Sequence, residues 1–408
     1  MTSAPLSRNR NYRLLWTGQA LAELGIGASA VALPLLVLAV TGSAAASGLV
    51  LGVYAAAQLA AAAPAGVLVD RWDLRRVLIG CEAVQAAAIG AVAAAVWAGV
   101  ATLPVLLALA VVLGTTRALF EPAEAAALPA LVRPDQVSTA VAMNAARGSI
   151  GSLGGNALGG ALFSLRHWAP FGMQAAAHAV STVLLLFLRV PARAPTARAG
   201  FRHELTEGLR WLWRNRAMRA VTACAAGLNL HFQAFYLVVL AVVVQNGAPA
   251  AHVGLMASMF GVGGILGALA APRLCRLLPT RTAILAAMWA IAALMPFAAV
   301  LGNAFAIGGV LAGAAFLTPT ASTAITTYQL LHTPEHLRGR MAAAVSTAVG
   351  TAAVAGPAVG GVLADLTPPA TAILLCAVGT ALCATAATLA PSLRTLPAPH
   401  QAEPAPTH

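Results

Sequence analysis

Long apolar blocks recur along the whole 408-residue chain, and they constrain its fold more than any other feature. Several blocks reach the roughly 20 residues that a helix needs to cross the hydrocarbon core of a bilayer. Hydrocarbon offers the backbone no hydrogen-bond partners, so each block is predicted to be a spanning helix. The chain is 60% hydrophobic and only 9% charged, whereas soluble domains carry about 25% charged residues. This composition excludes a soluble enzyme, a secreted disulfide scaffold and a disordered chain.

The number of blocks predicts an all-α membrane protein with twelve transmembrane helices. The fifth predicted span is rich in glycine, and the tenth runs into Thr318-Pro319-Thr320. The predicted spans cover residues 14–40, 46–69, 77–99, 103–120, 138–163, 169–188, 220–244, 252–271, 282–301, 304–321, 341–363 and 370–390.

Arginine supplies all 24 basic residues, and its distribution orients the spans. With twelve spans and the N-terminus inside, 22 arginines fall on the cytoplasmic side, Arg166 alone falls outside and Arg147 lies within a span. Cytoplasmic loops carry an excess of basic residues. We therefore expect a multi-pass protein of the plasma or bacterial inner membrane with both termini cytoplasmic. Because the arginines punctuate apolar segments, the net charge of +12 does not indicate a nucleic-acid partner.

The two halves of the chain share an internal repeat. Glycines of the fifth span recur in the eleventh span 201 positions later: Gly155, Gly159 and Gly160 correspond to Gly356, Gly360 and Gly361. Two repeats of six helices in the same orientation predict two bundles related by a pseudo-two-fold axis along the membrane normal, with a pathway between them.

The repeat also predicts the domain organisation. Apolar residues at helical spacing, from Phe201 to Leu212, stand beside arginines, which predicts a basic amphipathic helix on the cytoplasmic leaflet. The predicted parts are an N-terminal six-helix bundle (1–190), a central cytoplasmic linker with this helix (191–218), a C-terminal six-helix bundle (219–393) and a disordered cytoplasmic tail (394–408).

The loop between the second and third spans carries a recognisable motif. It reads Gly66-Val-Leu-Val-Asp70-Arg71-Trp72-Asp73-Leu74-Arg75-Arg76 and resembles the signature loop of the major facilitator superfamily, Gly-x-Leu-x-Asp-Arg-x-x-x-Arg-Arg/Lys. Residues 9–16, 41–43 and 337–340 are similar to the drug:proton antiporter branch, which includes macrolide and enterobactin-type siderophore exporters. The resemblance covers nearly the whole chain and implies alternating access.

Charged residues of this loop are candidates for a conformational latch. Asp70 ends the second span and can lie near the N-terminus of the eleventh, where unpaired N–H groups favour an anion. Arg75 or Arg76 is expected to reach a glutamate at the end of the fourth span. The alternative is that the loop only determines topology. The predicted latch comprises Gly66, Asp70, Arg71, Arg75, Arg76, Glu121 and Glu124.

Glycine-rich segments of the fifth and eleventh spans resemble the antiporter signature of the superfamily, Gly-x-x-x-Gly-Pro-x-x-Gly-Gly. Asn156 replaces the proline in the fifth span, whereas Pro357 keeps it in the eleventh. Small residues four positions apart let helices approach closely. We expect a helix interface that limits leak and favours export; ordinary close packing is the alternative. The predicted interface comprises Gly151, Gly155, Gly159, Gly160, Gly356, Pro357, Gly360 and Gly361.

Ionisable side chains inside a bilayer are costly and mark functional sites. Glu23 lies ten residues after Arg13, which places it about 15 Å into the membrane. Burial disfavours the charged form of a carboxyl group, so Glu23 is the first candidate for proton exchange, with a cationic substrate displacing the proton. The alternative is a neutral glutamate hydrogen-bonded to a neighbouring helix. Glu82 is predicted to be a salt-bridge partner at the inner rim.

Other polar side chains within the spans are candidates for binding protons or substrate. Arg117 and Arg147 can face an anionic group or pair with glutamates of the third and fourth spans. His178 and His231 can titrate near neutral pH or serve as satisfied polar groups. The remaining candidates are hydrogen-bonding amides: Asn144, Gln174, Asn229 and Gln233.

Together these features predict a secondary active transporter that exports an amphipathic organic compound, such as a drug, macrolide or siderophore, by proton antiport. The chain has no GxxxxGK[ST] phosphate loop, so ATP is not expected to drive transport within it. The resemblance to the drug:proton antiporter branch implies a proton gradient as the energy source. We expect a small-molecule substrate, protons and the bilayer as partners, a monomer, and no cofactor, metal site or enzyme activity. The alternatives are a facilitator of the same fold for a lysophospholipid or an imported solute and, more remotely, a membrane-embedded enzyme or sensor.

Overall fold

The computed structural model describes residues 6–190, 209–334 and 337–394. This part of the chain is almost entirely helical, which confirms the predicted all-α membrane fold. The predicted tail beyond Arg394 lies outside the described residues. The helices are α1 (Arg10–Thr41), α2 (Ala44–Arg71), α3 (Leu74–Trp97), α4 (Leu103–Leu131), α5 (Val137–Leu165), α6 (Ala169–Leu186), α7 (Arg216–Gln245), α8 (Ala250–Leu277), α9 (Thr280–Leu294), α10 (Phe297–Val300), α11 (Ala304–His332), α12 (Arg338–Leu366), α13 (Pro369–Leu389) and α14 (Pro391–Arg394).

Eleven helical spans within the described ranges are long and apolar enough to cross a membrane, with α9 and α10 together forming one of them. The twelfth long helix is α5, which has 29 residues. Asn144, Arg147, Asn156 and several glycines lower its hydropathy. With α5 included, the helices agree with the predicted twelve-helix architecture.

Polar side chains cap the starts of several helices and explain where those helices begin. Each capping side chain accepts a hydrogen bond from a backbone N–H of the first turn, which has no partner inside the helix. The capping residues are Asn9 of α1, Ser43 of α2, Asp73 of α3, Asn215 of α7 and Asn303 of α11. Gly42 ends α1 at a φ of 70°, a left-handed conformation that favours glycine.

Helices α4 and α11 extend past their predicted ends. The apolar pattern stops near residues 120 and 321, but α4 continues through Pro122 and Pro129, and α11 extends to His332. Proline inside a membrane helix is tolerated where neighbouring groups satisfy the freed backbone atoms. The extension matters because it keeps the glutamates that follow the apolar block of α4 on the same helix.

The chain divides into two compact units. The first unit comprises Met1–Arg198 and Gly247–Ser258, so it contains α1 to α6 and the first residues of α8. Within it, α1 packs against α5 and α6, α2 packs against α4, and α3 packs against α4 and α6. Buried side chains such as Leu15, Leu78 and Phe120 form its core at one end of these helices.

The second unit comprises Ala199–Asn246 and Met259–His408. Within it, α7 packs against α12 and α13, and α9 packs against α11 and α13. Its core includes the buried side chains of Met218, Ile284 and Met288. Helix α7 therefore has the same place in this unit that α1 has in the first, in contact with two neighbouring long helices.

The predicted linker is helical where it is described. Residues 209–214 form a helix, in which Leu212 is buried in the core of the second unit and Trp213 is exposed. Helix α7 begins at Arg216 rather than at the predicted residue 220. The end of the predicted amphipathic helix thus packs into a folded unit. Residues 191–208, including Phe201, lie outside the described residues.

Candidate functional site

Three charged residues of α4 lie on one face of that helix. Arg117, Glu121 and Glu124 are separated by four and three positions, and a helix of 3.6 residues per turn aligns such positions. The Nη2 atom of Arg117 lies 3.2 Å from Oε1 of Glu23 on α1, and its Nε lies 2.6 Å from Oε1 of Glu121. We call Glu23, Arg117 and Glu121 the shared-arginine cluster.

The shared-arginine cluster holds two carboxylates and one guanidinium. The side chains of Glu23 and Arg117 expose 14% and 21% of their surface, so they are largely enclosed without being sealed. Sequence reasoning found no cation beside Glu23, because its partner lies 94 positions away on another helix. Since Glu121 also balances Arg117, a proton on Glu23 would leave a neutral ion pair rather than an unpaired cation.

A second ion pair joins α4 to α5. The two terminal nitrogens of Arg147 donate to the two carboxylate oxygens of Glu124, at 2.8 and 3.2 Å. Such bidentate pairs are strong and orient both groups. The side chains of Arg147 and Glu124 are 6% and 14% exposed, so this pair is largely enclosed. Of the two alternatives for Arg147, the structure shows pairing with a glutamate.

The motif loop does not make its predicted contacts with α4. Glu121 and Glu124 bind the arginines of α4 and α5 described above, so the expected pairing of Arg75 or Arg76 with them is wrong. Arg75 instead donates from Nη2 to the backbone oxygen of Leu186 at the end of α6. The reason is proximity, because Arg117 lies a single turn away from Glu121 on α4 itself.

The other latch candidates lie at the end of α2 and in the first turn of α3. Gly66 is exposed, with open space where a Cβ atom would be. Asp70 is half-buried, and Arg71 and Arg76 are exposed. The loop also has a local structural function, because the side chain of Asp73 caps α3 by accepting from the backbone N–H of Arg76.

Glu82 is not the rim residue that the sequence predicted. It is buried between α1, α3 and α6, where it accepts hydrogen bonds from Nδ1 of His178 at 2.8 Å and Nε2 of Gln19 at 2.9 Å. Gln19 also donates to the hydroxyl of Ser181. Nε2 of Gln174 lies 3.3 Å from Nε2 of His178.

Three predicted interface glycines line the contact between α5 and α1. A Cβ atom added to Gly151 would lie 2.6 Å from Cβ of Glu23. A Cβ atom on Gly155 or Gly159 would meet backbone atoms of α1, which cannot turn aside as a flexible side chain can. These glycines therefore set the distance between α1 and α5, and with it the position of Glu23.

Gly160 and Asn156 face a different neighbour within the first unit. Gly160 lies against Gly254 of α8, and Nδ2 of Asn156 donates to the backbone oxygen of Ala257 at 3.4 Å. The hydroxyl of Ser258 donates to the backbone oxygen of Leu153 at 2.9 Å. Asn156, which replaces the proline of the signature, thus uses its side chain to join α5 to the start of α8.

The second unit contains a matching glycine contact. A Cβ atom on Gly356 would lie 2.7 Å from Cβ of Gln233 on α7, and one on Gly360 would overlap a backbone oxygen of α7. Pro357 and Gly361 are buried beside them. The sequence repeat therefore corresponds to the same kind of helix contact in each unit, α5 on α1 and α12 on α7.

A cavity of about 620 Å³ lies within the second unit. None of the residues that line it is charged. Of the predicted candidates on α7, Asn229 lines the cavity, whereas His231 and Gln233 do not. His231 instead donates from Nδ1 to the backbone oxygen of Gly227 at 2.8 Å. The polar lining residues are Asn229, Thr318, Ser322, Thr326, Gln329 and Ser346.

Some candidates were not brought to a common site. His178 and His231 belong to different units, and each is held by hydrogen bonds of its own. Asn144 is half-buried on α5, and its Oδ1 has no hydrogen-bond partner in the described part of the chain.

Gln19 and Gln329 were not among the residues predicted from the sequence. For Gln19 a signal existed, since it precedes Glu23 by four residues and so shares its helix face.

Solved transporter structures have the same fold. A point mutant of the nucleoside transporter NupG aligns with a TM-score of 0.80 and 14% identity, covering 92% of this chain and 98% of that chain. A bacterial homolog of the human lysosomal transporter Spinster, inward-facing and unoccupied, aligns with a TM-score of 0.72 and 16% identity, covering 95% and 98%. Identities this low show the fold alone. A comparison with curated protein sequences gave no match.

The family comparison covers almost the whole chain. Residues 1–406 match the family described as transmembrane secretion effector. This match agrees with the membrane-spanning helices and with the transporter folds above, and transporters of this type are generally not enzymes. The chain therefore belongs to the transmembrane secretion effector family and is an integral membrane transporter of the MFS type.

Proposed function

We propose that this transporter exports an amphipathic organic compound in exchange for protons across the plasma or bacterial inner membrane, with both termini cytoplasmic. The description of its family as secretion effectors supports the outward direction. The shared-arginine cluster is the observation that carries the exchange with protons. Ionisable groups within membrane helices are costly, and they are a functional-site hypothesis by default.

Protonation of Glu23 is the step that this cluster is suited to perform. With Glu23 charged, Arg117 links α1 to α4 over 3.2 Å. A proton on Glu23 removes that attraction, while Glu121 remains at 2.6 Å as the counter-ion of Arg117. Leaving a buried charge unpaired would be strongly unfavourable. The cluster avoids that penalty, so proton binding weakens the contact between α1 and α4 at low cost.

The glycine contacts provide a route by which this change reaches other helices. Because α1 meets α5 at the glycines of α5, with no side chain between the backbones, a shift of α1 displaces α5 directly. A ligand changes a conformational equilibrium only through different interaction with the two states. The proton does so here through the Glu23–Arg117 contact. We propose that Asp70 and the motif loop hold one of these states.

Proton-driven accumulation in inverted membrane vesicles tests the proposal. Wild-type vesicles from an efflux-deficient host should accumulate fluorescent test compounds, ethidium as a cation and acridone as an uncharged ring, when a proton gradient is imposed. Glu23→Gln should abolish gradient-driven accumulation and keep downhill equilibration, because glutamine mimics the protonated acid. Asp135→Asn alters an exposed carboxylate paired with Arg133 at 3.1 Å and should leave both processes unchanged.

Two results would contradict the proposal at different points. Gradient-driven accumulation by Glu23→Gln at the wild-type rate would remove Glu23 from the coupling step. Wild-type accumulation that does not respond to a proton ionophore would remove protons altogether. The amount of folded protein in each vesicle preparation, measured by size-exclusion chromatography after extraction, separates lost coupling from lost protein.

A second candidate function is uptake of an uncharged organic solute. A transporter of the same fold, NupG, is named as a nucleoside transporter, and the cavity of the second unit has an uncharged lining. Uptake of radiolabelled uridine into right-side-out vesicles would favour this candidate. Accumulation of the test compounds in inverted vesicles only would favour export.

A further inference from the structure

A groove of about 640 Å³ lies within the first unit, bordered by the end of α2, the first half of α3 and the middle of α4. Along α3 its lining passes from Arg76 through Gly80 to Val84, and positions four apart share one face of a helix. The groove is therefore basic where α3 begins and mostly apolar farther along that helix.

Two arginines provide the basic end of the groove. Arg71 and Arg76 are exposed, and neither guanidinium has a hydrogen-bond or ion-pair partner among the described residues. Asp73 also lines the groove, but its carboxylate accepts a hydrogen bond from the backbone N–H of Arg76 at 2.9 Å. Planar guanidinium groups match the oxygens of a phosphate, often two at a time. This end of the groove can therefore hold a phosphate group.

The rest of the groove exposes apolar surface on helices that are long and apolar enough to cross a membrane. Gly80 has open space where a Cβ atom would be, and Val84 is exposed. At 1.5 Å per residue, Val84 lies about 12 Å along α3 from Arg76. One leaflet contributes half of a hydrocarbon core of about 30 Å, so the groove has room for most of the length of an acyl chain.

Trp72 lies at the level where a lipid headgroup would be. It is exposed beside the two arginines, and tryptophan is enriched at the interface between membrane and water. The arginine distribution predicts that this end of α3 is cytoplasmic, and the anionic lipids of the cytoplasmic leaflet attract basic residues. The charge, the aromatic ring and the length of the groove all match the same kind of molecule.

We propose that this groove binds one anionic phospholipid of the cytoplasmic leaflet. Arg71 and Arg76 bind the phosphate of its headgroup, and the indole of Trp72 lies beside that headgroup. One acyl chain lies along Gly80 and Val84. The bound lipid connects the end of α2 to α3 and α4. The site does not depend on the direction of transport or on the transported substrate.

Native mass spectrometry of the delipidated full-length protein in detergent tests the headgroup contacts. Dioleoylphosphatidylglycerol should bind as one tightly held molecule, and zwitterionic dioleoylphosphatidylcholine should bind more weakly. Arg71→Gln and Arg76→Gln should each weaken binding of phosphatidylglycerol about tenfold, because a hydrogen bond between charged groups is lost. Arg8→Gln removes an exposed arginine outside the groove and should leave the affinity unchanged.

A second pair of variants tests the contact with the acyl chain. Gly80→Leu fills the groove and should weaken binding of dioleoylphosphatidylglycerol, but not of dihexanoylphosphatidylglycerol, whose chains are too short to reach far along α3. Gly148→Leu places the same side chain in open space on α5 and should change neither affinity. The long-chain lipid should also raise the unfolding temperature of Gly148→Leu more than that of Gly80→Leu, because a ligand that binds the folded state stabilises it.

Equal affinity of the wild type for the two dioleoyl lipids would overturn the proposal. Equal weakening by Arg8→Gln and Arg76→Gln would do the same, since it would show attraction to the overall charge rather than to this groove. Inorganic phosphate that displaces the lipid at an equal concentration would indicate a site for a free anion and would also contradict a phospholipid site.

Discussion

Gln19, Glu82 and His178 come from three helices and meet where solvent does not reach, since Glu82 and His178 are each 1% exposed. Two donors, one from the histidine ring and one from the amide, converge on a single carboxylate. Each of these two hydrogen bonds needs the carboxylate of Glu82 as its acceptor. The carboxylate therefore connects α1, α3 and α6, and through Gln19 it orients the helix that carries Glu23.

Replacement of Glu82 by leucine should lower the thermal stability of the protein. The change leaves the ring N–H of His178 and an amide hydrogen of Gln19 without acceptors, at about 1–3 kcal/mol for each buried group. The double variant Glu82→Leu/His178→Leu should recover part of the loss, because it removes one of the unpaired donors. Thermal unfolding in detergent measures the effect. Equal stability of Glu82→Leu and the wild type would contradict the network.

In α5 and α12, a pattern of glycines in the sequence corresponds to a close contact with a neighbouring helix. Each presents glycines to one neighbour, α1 or α7, and in each case an added Cβ would meet backbone atoms of that neighbour. Not every glycine of these helices contacts that neighbour, because open space surrounds Gly148 of α5 and Gly160 lies against α8 instead. The position of a glycine on the helix face, rather than the glycine content of the helix, decides its function.

Two glycine-to-alanine substitutions on the same helix should therefore change the stability of the protein in different directions. Gly159→Ala should destabilise the protein, because its Cβ would overlap the backbone of Ala28 on α1. Gly148→Ala should be neutral or stabilising by up to about 1 kcal/mol, since alanine favours helix and no neighbour is close. In the second unit, Gly360→Ala on α12 and Gly264→Ala on α8 compare a glycine at a close contact with one in open space. Thermal unfolding that ranks both alanines of α5 equally would contradict this account.

At the scale of the whole chain, the ion pairs described above and the cavity fall in different units. The shared-arginine cluster, the Arg147–Glu124 pair and the Glu82–His178 contact all lie in the first unit, whereas the uncharged cavity lies in the second. Each unit also contains a helix contact built from glycines, α5 on α1 and α12 on α7, so the repeat preserved this packing.

The arginine distribution predicts the topology of the whole chain. A green fluorescent protein fused at the C-terminus should fluoresce, because both termini are expected in the cytoplasm. Alkaline phosphatase fused directly after Arg166 should be active, because Arg166 is the single arginine expected outside, and the basic bias of cytoplasmic loops sets orientation. Active phosphatase at the C-terminus would contradict the predicted orientation.

Some features of the fold and of the candidate site were predicted from the sequence, and others were not. The twelve helices and the equivalence of the two glycine-rich segments were predicted, and the glycines lie at close helix contacts. The ends of α4 and α11 were placed too early, because an apolar pattern stops where polar residues begin even though the helix continues. Glu23 was identified as an ionisable residue within a span, but its arginine partner was not.

Hydropathy and glycine spacing belong to short stretches of chain, so they sufficed to predict a membrane-spanning helical protein built from a repeat. The choice of partner for each buried charge did not follow from them. Glu23 and Arg117 are separated by 94 positions, and Glu82 and His178 by 96. Whether such residues meet depends on how far each helix is rotated about its axis and which neighbour it packs against. Several arginines and glutamates are equivalent in the local sequence pattern. The packing of the helices decides which of them form pairs.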